Sequence, residues 1–121
     1  MARSLVVKVT CGAEDPERLN QGFTVAAAAA AAGAHVSLWL TGEAAWFGVP
    51  GRAEEFELDL ATPLDQLMAA VLTSGTITVC SQCAARRGIV GGDLREGGVT
   101  IAGAAVFAEQ VLGDGVQALV Y

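Results

Sequence analysis

The chain has 121 residues, a formal net charge of -6, 53% hydrophobic residues and only 17% charged ones. So acidic a chain is repelled by nucleic acid and by acidic membrane surfaces, which excludes both as partners. So apolar a chain needs a sheet covered on both faces, or surface buried between subunits, and its length fits one domain over 1–121.

Ser4-Leu5-Val6-Val7-Lys8-Val9-Thr10 reads as a first strand, broken by Cys11-Gly12. That run is too short for a signal peptide and is interrupted by Lys8. Asp15-Pro16 is an N-cap followed by proline at the first helical position, predicting a helix to about Ala32 that stops at Gly33. Ala26–Ala32 is all alanine, the best helix former, and lets the helix approach a sheet closely. The longest uncharged apolar run, Phe23–Ala34, is too short to span a membrane. The expected location is the cytoplasm.

His35–Leu40 alternates as a second strand. His35 is the chain's single histidine, and nothing adjacent orients its ring for catalysis. Thr41–Ala61 is irregular: Glu43–Phe47 predicts a short helix, Gly48–Gly51 a turn, and Phe56–Leu60 an extended edge segment. Trp46 and Phe47 read as core, or as the cap of a pocket. Thr62-Pro63-Leu64-Asp65 is a helix start with Thr62 as cap, and Leu64, Leu67, Met68, Val71 and Leu72 form one apolar stripe ending at Ser74-Gly75.

Thr76–Cys80 is a β-branched run that predicts a buried third strand. Cys80-Ser81-Gln82-Cys83 then gives C-x-x-C spacing, and Ala84-Ala85-Arg86-Arg87 favours helix up to Gly88. The two thiols therefore fall at a strand-to-helix turn, with Ser81 as the expected N-cap and Cys83 in the first turn, where free amides stabilise a thiolate. Arg86 and Arg87 add positive charge one turn on. In a cytoplasmic chain this spacing points to redox, transfer or metal chemistry rather than a structural disulfide. Two buried, inert cysteines are the alternative. Asp93–Gly98 is a polar loop, Val99–Ala102 a fourth strand, Gly103–Leu112 a helix, and Val116–Tyr121 a last strand. Strands alternating with helices predict an α/β fold: a three-layer α/β/α sandwich on a five-stranded parallel sheet, flavodoxin-like. In the strand order 2-1-3-4-5 the first and third strands are neighbours, which would place Cys11 beside Cys80 as a third member of a thiol cluster; the other reading, which is preferred, is that Cys11 simply packs under the first helix.

The order of elements and the run Val79-Cys80-Ser81-Gln82-Cys83-Ala84-Ala85-Arg86-Arg87-Gly88-Ile89 resemble the DsrE/DsrF-like family across nearly the whole chain. Cys80 matches the strand-end cysteine of the family's sulfur-relay subunits. Cys80 and Cys83 together match the C-x-x-C of its YchN-like branch. The resemblance implies a parallel three-layer α/β domain, trimeric or hexameric assembly, hetero-oligomers with paralogues in some members, and sulfur carried as a cysteine persulfide between donor and acceptor proteins. The leading reading is a sulfur carrier, or a sulfurtransferase if the chain is an enzyme, with Cys80 as carrier and Cys83 as tuner or resolving thiol. Cys11, Arg86 and Arg87 are auxiliary.

Two other classes compete. A thiol-disulfide oxidoreductase would use the same pair, although no proline directly precedes a predicted strand as in thioredoxin-type folds. A non-catalytic oligomeric module, with or without zinc, is the other; Cys11 and His35 would have to complete a four-ligand set. Neither a metal nor a cofactor is expected. The turn after the first strand lacks a phosphate-cradling glycine pattern and carries Glu14 and Asp15 where phosphate would lie.

Overall fold

In the computed structural model, which describes residues 3–121, the β-branched runs form the strands β1 (Ser4–Val9), β2 (His35–Leu40), β3 (Thr76–Cys80), β4 (Val99–Ala102) and β5 (Val116–Val120). All adjacent strands run parallel in one sheet, with helices on both sides. The α/β class and the five-stranded parallel sheet are as expected. The strand order is not: it is β4-β3-β2-β1-β5, so β2 separates β1 from β3. Each step from β1 to β4 moves one strand in the same direction, and α1 (Pro16–Ala31) and α3 (Leu64–Leu72) pack against each other on one face. Right-handed crossovers require that arrangement. Only the last connection, through α5 (Ala104–Val111), returns across the other face to set β5 beside β1.

The α1/α3 face holds the core. Val7, Val9, Val36, Leu38, Leu40, Ile77 and Val79 alternate toward it and are fully buried. Ala26 and Ala27 of the alanine run are buried against them, so the run serves close helix–sheet packing. Phe23 of α1 is also fully buried and meets Phe47 edge to face at 6.2 Å, and Phe47 meets Phe56 at 6.1 Å. On the opposite face α5 is seated by two side chains one turn apart. Phe107 packs edge to face on Trp39 at 5.3 Å. Gln110 Oε1 accepts hydrogen bonds from Ser37 Oγ at 2.7 Å and from Trp39 Nε1 at 2.9 Å.

Several local expectations change. Asp15 takes the N-cap position before Pro16, but its carboxylate pairs with Arg18 at 3.4 Å instead of capping. Thr62 is not a cap: Pro63 holds that position, and its carbonyl accepts from the amides of Gln66 and Leu67. Glu43–Phe47 lies within a 3-10 helix, Gly42–Gly48, and a further turn, α2 (Arg52–Glu55), follows it unexpectedly. Phe56–Leu60 is not a strand. Both sheet edges are taken by β4 and β5, so its alternation finds no partner, and Leu60 turns the chain at φ 64°. The Asp93–Gly98 loop is entered by a 3-10 turn, Gly91–Asp93, in which the Asp93 carboxylate accepts from the Val90 amide at 2.9 Å. Trp46 is half-buried beneath Arg52, whose guanidinium sits 4.4 Å from its ring, and it lines a cleft of about 340 Å³ with Phe47 and Phe56.

Candidate thiol site

Parallel strands end together, so the carboxyl edge of the sheet gathers the turns after β1, β2 and β3. Cys80 closes β3 and is itself the N-cap of α4 (Ser81–Arg86), correcting the expectation for Ser81, which is the first helical residue. Its backbone is extended (φ -62°, ψ 129°), and Gly88 (φ 68°) supplies the left-handed stop after the helix. Cys80 pairs with Ala102, and strand alternation sets it on the face of Thr78 and Trp39, which is the α5 face. It is partly exposed, as a reactive thiol must be.

Opposing forces act on this thiol. Burial pushes its pKa up. Against that, the nearby amides of Cys83 and Gln82, the Cys83 thiol and the Lys8 charge all favour the anion. These win, and Cys80 is held below its ordinary value. Cys83 sits in the first turn of α4, and its Sγ accepts the Gly42 amide at 3.2 Å. The Gly42 amide thus donates to the Cys83 sulfur, and the Cys83 thiol in turn favours the Cys80 anion. Gly42 adopts φ 54°, and a Cβ there would stand 2.6 Å from the Thr10 carbonyl oxygen, so only glycine fits this approach.

The arginines have other partners. Arg87 donates through Nε to Glu43 at 2.8 Å and through Nη1 to the Cys83 carbonyl at 3.1 Å, clamping α4 to the 3-10 helix. Arg86 is exposed in the last turn of α4. Cys11 is buried after β1, and its thiol points to the Asp15 carbonyl at 3.9 Å. Burial raises its pKa, and the carboxylates of Asp15 and Glu14 raise it further. With β2 interposed, β1 and β3 are about 10 Å apart, beyond the roughly 7 Å Cα limit for a disulfide. The strand adjacency that was to bring Cys11 to Cys80 is therefore absent. His35 begins β2 at the opposite end of the sheet, its ring meeting the Ser74 carbonyl at 3.0 Å. It is not brought to the thiols, and no group of three His, Cys, Asp or Glu that could hold a metal ion occurs among the described residues. Gly42 and Lys8 are the site residues that the linear sequence did not single out. The only trace of Lys8 was a charge interrupting an otherwise apolar strand.

A model of the DsrE/DsrF-like family matches residues 3–119. Three solved structures share the fold. The ychN protein from E. coli is 20% identical with a TM-score of 0.74, covering 98% of this chain and 99% of that one. A conserved protein of unknown function from Bacteroides thetaiotaomicron, BT1422, is 17% identical with a TM-score of 0.64, covering 98% and 95%. A protein of unknown function from Methanobacterium thermoautotrophicum, MTH1491, is 11% identical with a TM-score of 0.61, covering both chains fully (100% and 100%). No curated protein matches the sequence significantly.

Proposed function

We propose that this chain, which belongs to the DsrE/DsrF-like family, carries sulfane sulfur as a persulfide on Cys80. Family membership is associated with sulfur relay. The observation that carries the finer reading is a partly exposed strand-end cysteine whose anion is supported by two backbone amides, a neighbouring thiol and a lysine. The Cys80 thiolate attacks the outer sulfur of a donor persulfide, the donor S–S bond breaks, and the donor leaves as a thiolate. Cys80 then holds S–SH. An acceptor thiolate repeats the displacement on that outer sulfur and returns Cys80 as a thiolate. No net oxidation or reduction occurs, so no cofactor is needed. If Cys83 instead attacks the inner sulfur, hydrosulfide leaves and a Cys80–Cys83 disulfide remains.

Exposure to polysulfide followed by gel-shift detection of persulfide tests this reading. The expected result is a shifted species that dithiothreitol removes. The C-x-x-C pair, with the Cys83 thiol acting on Cys80, also favours a second reading, a dithiol oxidoreductase. Robust turnover of insulin reduction, with no persulfide species formed, would select that reading instead.

The partners in this proposal are donor and acceptor proteins of a reducing, cytoplasmic compartment. No helix among the described residues is long and apolar enough to cross a membrane. Leu112 (80% exposed), Val120 (64%), Leu119 and Val106 leave an apolar surface along α5 and β5. Burial of that surface between copies supports a homo-oligomer, a trimer or a multiple of three, with hetero-oligomers of paralogues as the variant form. Light scattering at micromolar concentration is expected to give such a mass. A strict monomer would count against it.

A further inference from the structure

Lys8 is the chain's only lysine, and it interrupts the apolar run Leu5, Val6, Val7 and Val9 of β1. The register sets Lys8 opposite Trp39, and Trp39 opposite Thr78, so all three share the α5 face that Cys80 also joins two residues after Thr78. The side chain does not leave for solvent. Lys8 is half-buried, and its Nζ lies 4.9 Å from the centroid of the Phe107 ring, which itself packs on Trp39. Among the described residues the ion pairs are Arg18–Asp15, Arg87–Glu43 and Arg95–Glu54, and Lys8 is in none of them. A half-buried ammonium held over an aromatic face, without a carboxylate partner, is a cation free to favour another anion on that face.

We infer that Lys8 is a positioning residue of the thiol site, whose ammonium, fixed by Phe107 over the α5 face of the sheet, supports the sulfur of Cys80 as an anion, whether thiolate or persulfide. The persulfide half of this statement rests on the carrier reading above, while the thiolate half does not. Other groups cannot take this part. Cys83 on α4 favours the anion but brings no positive charge. β4 (Val99–Ala102) carries no charged residue, and the single charged residue of α5, Glu109, is exposed. Glu43 on the 3-10 helix is paired with Arg87, and Arg86 is exposed at the far end of α4. The direction of the Lys8 charge effect at Cys80 agrees, favouring the deprotonated form.

The test follows iodoacetamide alkylation of Cys80 against pH, quantified by peptide fragmentation, in the native protein and in Lys8→Met, Lys8→Gln and Lys8→Arg. Met and Gln keep the stem over Phe107 and remove the charge, and the pair guards against poor folding of either. The midpoint is expected to rise by about half a pH unit or more in both, and to stay near the native value in Lys8→Arg. Native-like midpoints in Met and Gln, or a rise in Arg as large as in Met, would overturn the assignment. If the native midpoint itself equals that of an ordinary thiol, the carrier reading loses its nucleophile. If it is low and the lysine variants leave it unmoved, only the role of Lys8 falls.

Discussion

Cys80→Ser is expected to abolish persulfide loading, whereas Cys83→Ser and Cys11→Ser retain it. The hydroxyl of serine cannot form the sulfur–sulfur bond, and the carrier step has no substitute atom at the end of β3. Cys83→Ser keeps a hydroxyl that can donate toward Cys80, so the anion loses little support. It also removes the thiol that would release hydrosulfide by attacking the inner sulfur, so the loaded form should persist longer than in the native protein. Cys11 is buried, and burial and the two neighbouring carboxylates push its pKa up. It should therefore load and alkylate slowly in every variant. Gel-shift detection after polysulfide exposure reads all three variants at once. Full loading of Cys80→Ser would transfer the carrier role to Cys83 and end the assignment.

Phe23→Ala is expected to be the most damaging substitution for stability, by about 3–5 kcal/mol. Phe23 has no exposed surface, so its removal loses the transfer free energy of the ring and leaves a cavity between α1 and the sheet. The edge-to-face contact with Phe47 goes too, which adds roughly 0.5–1.5 kcal/mol to what area alone predicts. Domains of this size are stable by only about 5–15 kcal/mol, so much of the margin disappears. Phe47 belongs to the 3-10 helix that begins at Gly42, and the Gly42 amide is bonded to Cys83 Sγ. The lesion therefore reaches the thiol turn through the helix that supports it. Thermal or urea unfolding measures the loss. A cost below about 1 kcal/mol would mean that the cavity collapses and that this aromatic chain is not the keystone of the α1 face.

The strands and the thiol turn were legible because local chemistry sets them. A β-branched run followed by alanine and arginine can end only as a strand entering a helix, and β2, β3 and β4 begin and end where such runs do. Strand order was not legible. Crossovers of the same length serve either order, and nothing within β1, β2 or β3 states which pair will be neighbours. That ambiguity is what allowed the thiol-cluster reading of Cys11, whereas its packing in the core is as the other reading had it. Gly42 and Lys8 escaped notice for a related reason. Gly42 meets Cys83 across 41 positions of sequence, and Lys8 reaches the thiol face across an intervening strand. Arg86 and Arg87 invited the opposite error. Their closeness to the motif suggested thiol partners, but Arg87 is bound to Glu43. Phe56–Leu60 alternated like a strand and found no free edge.

The most direct test of the central claim is to load the native, reduced protein with a persulfide donor, block it with an alkylating reagent, and locate the added sulfur by fragment-resolving mass spectrometry. Fragmentation is essential, because Cys80 and Cys83 share one tryptic peptide ending at Arg86. The expected result is one additional sulfur atom on Cys80, lost again when an acceptor thiol is supplied. Sulfur found only on Cys83 or Cys11, or none retained on any cysteine, would contradict it.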